Sequence, residues 1–338
     1  MKAANKAIEI YSPETVLTNE DLANGGAGWT AQKIFIKTGI KERRVASAAE
    51  CASDLGVAAA NSLFASGACD RASIDYLLFC TQSPDFFLPT TACLIHERLG
   101  LEGSCGALDF NLGCSGYVYG LSLAKALVES KQAGNILLIT AETYSKFIHP
   151  EDRSVRTLFG DAGAATLISG VNSNEDFIGP FIFGTDGSGG RHLIVPTGGM
   201  RQRTVSEAEI MSDTDGNRRT FNNLFMDGPE IFNFTLRVVP ETVNNLLTKA
   251  GKTLDEVDFF VFHQANVFML HHLRNKLKIA EGKFVIAIEH HGNTVSSTIP
   301  IALKHLMIRD KLKPEKLLAL VGFGVGYSWG GVLVKWSI

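Results

Sequence analysis

The sequence predicts an α/β fold made of two equivalent halves, and three observations carry that expectation: continuous apolar runs of strand length, helical patterns between them, and a long-range repeat of both. Runs rich in Ile, Val, Leu and Phe occur at 74–80 (IDYLLFC), 106–112 (GALDFNL), 135–141 (NILLITA), 258–262 (DFFVF), 283–289 (KFVIAIE) and 316–323 (KLLALVGF). Runs that are apolar throughout suit strands buried on both faces of a sheet. Segments 115–132 and 298–308 read as helices, so strands and helices alternate as they do where helices cover sheets.

The repeat pairs the two ends of the chain. ASIDYLLFCTQSPD is patterned like LDEVDFFVFHQAN, GALDFNLGCSGYVYGLSLAKAL like FVIAIEHHGNTVSSTIPIALKHL, and ILLITAETYS like LLALVGFGVGYSW. The offset is nearly constant: Asn293 stands 179 residues after Cys114, and Phe262 stands 182 after Cys80. The expected halves are 1–172 and 173–338. The stretch 198–223, rich in Gly, charged and amide residues, breaks the periodicity and reads as a surface excursion. Sites form where loops at the strand ends of such halves converge.

Composition narrows the class. With 338 residues, 45% of them hydrophobic, the chain has material for a large core. A formal charge of −3 without basic runs offers nothing to nucleic acid. No apolar stretch is long enough for a membrane span, and the N-terminus lacks a signal-type apolar region, so the expected location is cytoplasmic. The six cysteines, all at or before position 114, lack paired C-x-x-C spacing; they predict reduced thiols and no metal site.

Three residues are candidates for chemistry. Cys114, in FNLGCSGYVYG, follows a buried strand and precedes a helix, with Gly113 and Gly116 permitting a sharp turn. Backbone dipoles and unpaired N–H groups at a helix start favour the thiolate; the plainer alternative is a small buried hydrophobe. His263 surfaces at the end of DFFVF, followed by Gln264, Ala265 and Asn266, where the alternative is a satisfied core histidine. Asn293, in HHGNTVSS, could equally be a turn or cap residue. The repeat raises all three, because it puts Cys114 and Asn293 at corresponding places in facing halves. The glycine-rich GFGVGYSWGG (322–331) lacks the spacing of a phosphate cradle, but its N–H groups suit an oxyanion. GDAGAATL (160–167) reads as close packing.

Taken together, FNLGCSG, FHQAN, HGNT and GFGVGYSWG resemble the motif set of the ketoacyl carrier-protein synthase III family of the thiolase-like superfamily, and the similarity runs from KTGIKERR to the terminal VLVKW. The resemblance implies a thiolase-like duplicated five-layered αβαβα fold, usually a homodimer. It implies Cys114 as acylated nucleophile, His263 and Asn293 as the pair binding the extender's thioester carbonyl, and the backbone N–H groups of Cys114 and Val325 as oxyanion hole. The implied reaction is decarboxylative condensation of an acyl-CoA primer with malonyl-acyl carrier protein, without a further cofactor. Thiolases, which do not decarboxylate, use a second cysteine in the C-terminal half; this chain has none.

Substrate positions carry over less evenly. Arg153 matches an arginine at the CoA nucleotide, Asn266 an amide near the pantetheine arm, Lys37 a position that is commonly arginine, and Leu88 a gate residue crossing the dimer interface. The tryptophan that stacks on adenine is replaced by Lys33, with Trp29 four residues early. Phe268 stands where a basic residue is common, leaving Arg274 and Lys276 to dock an acidic carrier protein. These departures suggest a paralogue specialised away from housekeeping fatty-acid synthesis. Two alternatives stay open: acyl transfer or hydrolysis through the same acyl-cysteine, and a partner subunit without condensing activity.

Overall fold

The computed structural model describes residues 1–24, 29–203 and 209–338. Nine strands build two sheets: β1 (Lys2–Tyr11), β2 (Tyr76–Cys80), β3 (Gly106–Phe110), β4 (Asn135–Glu142), β5 (Ala162–Val171), β6 (Ile178–Thr185), β7 (Phe259–Phe262), β8 (Leu317–Gly324) and β9 (Ser328–Lys335). The helices that matter here are α1 (Ala31–Thr38), α2 (Ala52–Ala65), α3 (Thr91–Leu99), α4 (Gly116–Glu129), α5 (Gly228–Ala250), α6 (Val267–Leu277) and α7 (Thr298–Ile308). The first sheet has the order β1-β5-β4-β2-β3 and the second β6-β9-β8-β7. Both are antiparallel at the β1-β5-β4 and β6-β9-β8 ends and parallel beyond. The repeat in sequence is therefore a repeat in topology.

Three apolar clusters define five layers. Tyr117, Leu121 and Val128 of α4 and Ile299 and Leu303 of α7 lie between the sheets, against Leu138 on one side and Leu320 and Val332 on the other. Leu55, Leu63 and Ile95 of α2 and α3 cover the outer face of the first sheet over Phe79 and Leu137. Val239, Leu246 and Leu270 of α5 and α6 do the same for the second over Phe260 and Val321. The fold is αβαβα, as expected. Each large aliphatic buried this way stabilises by roughly 1.5–3 kcal/mol, which is why β4 is aliphatic from Ile136 to Ile139 and β8 apolar throughout.

One expected strand does not form. Of 283–289 only Phe284 pairs, in a single parallel bridge to Phe260, where the first half has β3. The Gln264 side chain takes over the next backbone groups, donating to Val285 O (3.3 Å) and accepting from Ala287 N (2.8 Å), so the ladder stops. Among the described residues no helix is long and apolar enough to cross a membrane. All six cysteines are free thiols.

Candidate active site

Cys114 sits in the turn between β3 and α4, closed by a hydrogen bond from Gly116 N to Gly113 O (2.8 Å). Its side chain is 5% exposed and belongs to an apolar cluster with Tyr144, Phe159, Leu193, Leu224 and Val295. The end of β8 passes so close that only glycine fits: a Cβ on Gly324 would lie 2.9 Å from Cys114 Sγ, and one on Gly322 2.7 Å from Cys114 O. The thiol is thereby held against its own N–H and that of Val325, the two donors expected of an oxyanion hole. Burial first, and then the Glu142 carboxylate, push it up to about 12; the two N–H groups pull the other way. The resting form is the thiol, so the expected advantage of a helix start for the thiolate is outweighed by desolvation.

His263 ends β7, its N–H bonded to Val321 O (2.8 Å) and its ring edge-on to Phe323 with centroids 5.4 Å apart. Nδ1 lies 2.7 Å from Thr298 Oγ1 at the start of α7. Burial pulls the imidazole down to about 3, so it is neutral at physiological pH. Asn293 is pinned through its backbone, N to Leu158 O (2.8 Å) and O from Gly160 N (3.0 Å). Its Oδ1 accepts from Val295 N (2.9 Å), leaving the amide NH2 as the free end. The preceding Gly292 has φ +68°, a left-handed turn that a side chain resists.

One more polar group was not singled out by sequence. Glu142, the last residue of β4, is fully buried beneath the thiol and accepts from Gln82 N (3.0 Å), Ser83 Oγ (3.0 Å) and Ser296 Oγ (3.2 Å). Burial outweighs these donors and pushes the carboxyl up to about 8. The available signal was a charge ending an apolar run, flanked by Thr140 and Thr143.

Outside lies a cleft of about 620 Å3 that collects Trp29, Lys33, Lys37, Arg153, Asp215 and Asn217. Trp29, four residues early in sequence, stands in the same cleft as Arg153, with Lys37 Nζ 5.2 Å from its ring centroid. Asn266 caps α6, accepting from Met269 N (2.8 Å). Leu88 projects beside Phe86 and Phe87 and is 83% exposed. Arg274 and Lys276 are both engaged within the chain: Arg274 pairs with Glu281 (3.2 Å), and Lys276 donates to Leu236 O (2.8 Å). That carbonyl lost its helical partner because Pro240 has no N–H. Among the described residues no cluster of three or more His, Cys, Asp or Glu side chains could hold a metal.

The geometry has known counterparts. The family model described as 3-Oxoacyl-[acyl-carrier-protein (ACP)] synthase III matches residues 108–187, and the one described as its C terminal matches 247–336. The beta-ketoacyl-[acyl-carrier-protein] synthase III of Caldanaerobacter subterraneus is 33% identical over 327 residues, 97% of this chain and 96% of that protein. A crystal structure of a 3-oxoacyl-(acyl-carrier-protein) synthase III is 50% identical and matches with a TM-score of 0.98 over 99% of this chain and 100% of its own. A 3-oxoacyl-(acyl-carrier protein) synthase from Burkholderia xenovorans is 37% identical, with a TM-score of 0.91 over 100% and 95%. With both halves matched and identity above thirty per cent along nearly all its length, this chain belongs to the beta-ketoacyl-[acyl-carrier-protein] synthase III family, the condensing acyltransferases of fatty-acid synthesis.

Proposed function

We propose that this chain condenses an acyl-CoA primer with malonyl-acyl carrier protein through an acyl-Cys114 intermediate, releasing CoA, carbon dioxide and 3-oxoacyl-carrier protein. The observation that carries this reading is the meeting of groups from both halves: the thiol of one half lies against the Gly324–Val325 backbone of the other, in a pocket shared with the Asn293–Val295 turn.

Cys114 Sγ attacks the primer's thioester carbonyl, and its proton leaves on the CoA thiol. The oxyanion is stabilised by the N–H groups of Cys114 and Val325, each such donor contributing about 3–4 kcal/mol to a barrier of this kind. Malonyl on its carrier then loses carbon dioxide, and the enolate oxygen is held by His263 Nε2 and Asn293 Nδ2. For Nε2 to carry the proton, the Thr298 hydroxyl, 2.7 Å from Nδ1 and otherwise a donor to Val295 O (3.0 Å), turns its hydrogen to Nδ1. The enolate carbon attacks the acyl-Cys114 carbonyl, and the sulfur departs as thiolate and takes a proton from water to restore the resting thiol. Neutral His263 suits this role, since it donates without trapping the carboxylate of the incoming malonyl as an ion pair.

Arg153, Lys37 and Trp29 line the proposed approach of the CoA nucleotide, and Asn266, the cap of α6, is the amide proposed for the pantetheine arm. Arg274 and Lys276 of α6 are the proposed carrier-protein ground, with Phe268 exposed on the same helix. A homodimer is supported by exposed Phe86, Phe87 and Leu88 and by Leu108, exposed on edge strand β3; sedimentation showing a monomer at micromolar concentration would remove it. The condensation itself is tested by intact mass after incubation with acyl-CoAs of increasing length. One acyl group is expected on the wild type and none on Cys114→Ala, with carbon dioxide released on adding malonyl-carrier protein. Acylation without carbon dioxide would replace condensation by acyl transfer or hydrolysis.

A further inference from the structure

The stretch expected as a surface excursion, 198–223, has its central part 204–208 outside the described residues. Its second half, 211–219, forms a wall of the cleft. Met211–Ser212 and Arg218–Arg219 pair antiparallel, and the turn between them is fixed by Asp213 Oδ1, which accepts from Asp215 N (3.0 Å) and Asn217 N (2.9 Å). This hairpin is clamped onto the segment that carries Arg153. Arg218 pairs with Glu151 (2.9 Å), Arg219 with Asp152 (3.4 Å) and Asp213 (3.7 Å), and Asn217 Oδ1 accepts from Arg153 N (3.1 Å). Asn217 is buried in the joint, so the hairpin is held rigidly where it contributes Asp215 to the lining of the cleft, together with Lys37 and Arg153.

The charges sort cleanly. Glu151, Asp152 and Asp213 are each answered by an arginine of the hairpin, whereas none of the ion pairs among the described residues uses Asp215, whose side chain is exposed. A solvated carboxylate on the wall of a cleft otherwise lined by Lys33, Lys37 and Arg153 works against a polyanion and is indifferent to an uncharged arm.

We propose that Asp215 is a specificity-determining residue: its carboxylate weakens binding of the phosphate-bearing nucleotide end of a CoA thioester and so narrows the preference for CoA over donors that present only the pantetheine arm. The proposal rests on the reading of this cleft as the CoA approach. It makes the hairpin 211–219 the element through which primer delivery is tuned, without a change at Cys114, His263 or Asn293.

The test compares Asp215→Asn and Arg153→Ala with wild type in full-length protein. The rate of Cys114 acylation is followed by intact mass against concentration of an acyl-CoA and of the matching acyl-pantetheine, at low and at high salt. Asp215→Asn is expected to lower the apparent KM for acyl-CoA by about three- to tenfold at low salt, with a smaller effect at high salt. The preference for acyl-CoA over acyl-pantetheine should rise by the same factor. Arg153→Ala is expected to move the same preference in the opposite direction. If Arg153→Ala weakens acyl-CoA while Asp215→Asn leaves the preference unchanged, the filter is refuted and the cleft retained. A raised KM for acyl-CoA in Asp215→Asn also refutes it, making Asp215 a hydrogen-bond acceptor for the ligand. If neither variant alters the preference, the CoA reading of the cleft falls, and the proposal with it.

Discussion

The two halves have the same strand order but bury opposite things at the same place. Cys80 on β2 faces Thr140 on β4 as Phe262 on β7 faces Val321 on β8, so two residues further along Glu142 corresponds to Phe323. In the first half that position is a carboxyl wrapped by Gln82, Ser83 and Ser296; in the second it is a phenyl ring set against His263. Thr81 likewise corresponds to His263, and Cys114 to Asn293 in the turns that lead into α4 and α7. Duplication thus supplied two copies of one scaffold, and the site arises from making them unlike: a thiol over a polar floor in one, an imidazole and an amide over an apolar floor in the other.

The sharpest way to break this division is to remove the donors of the second half while leaving the first intact. His263→Ala and Asn293→Ala are each expected to slow carbon dioxide release by about 10²–10³-fold, while acyl-Cys114 still accumulates in intact mass spectra. Loss of acylation in either variant would mean that the donors serve both steps. A smaller effect is expected where the halves touch. Gly324→Ala puts a methyl 2.9 Å from Cys114 Sγ and should slow acylation by about tenfold or more while overpacking the site costs about 1–3 kcal/mol of stability; wild-type acylation would show that the contact yields.

The smallest effect concerns the polar floor. A carboxyl raised to about 8 in the fold and near its ordinary value when unfolded binds protons more tightly in the native state. Stability therefore falls as pH rises between those values. His263, pulled down to about 3, and His291, to about 4, act with the opposite sign, but only below the unfolded histidine value near 6.5. From there to pH 8 the Glu142 contribution is isolated, and wild type should lose about 1–2 kcal/mol of unfolding free energy that Glu142→Gln does not. Parallel pH curves for the two proteins in denaturant titrations would contradict the buried charge.

Much of this was legible from residue order because burial on both faces writes itself as uninterrupted apolar runs: β2, β4, β7 and β8 fall within a residue or two of the expected strands, and α7 at its expected ends. The sharp turn that holds Cys114 was legible from its glycines. Other features depended on partners distant in sequence. The strand at 283–289 failed because a side chain from Gln264 competed for its backbone. Trp29 reached the cleft through the turn into α1, which no motif spacing expresses. Lys276 looked like a surface charge until Pro240, on another helix, left a carbonyl for it to satisfy.

The central layer carries a consequence for how the enzyme fails. The turn bearing Cys114 leads into α4, the turn bearing Asn293 leads into α7, and both helices pack their apolar faces between the sheets. The amides on those faces, such as Val118, Leu121, Ala124 and Leu303, should exchange hydrogen for deuterium only through global unfolding, and inactivation by heat should track collapse of the whole molecule. The hairpin over the cleft is fixed by ion pairs and a buried amide rather than by an apolar core, so opening it costs less than unfolding the central layer. The entrance and the floor of the site are thereby assigned to separate cooperative units of one chain.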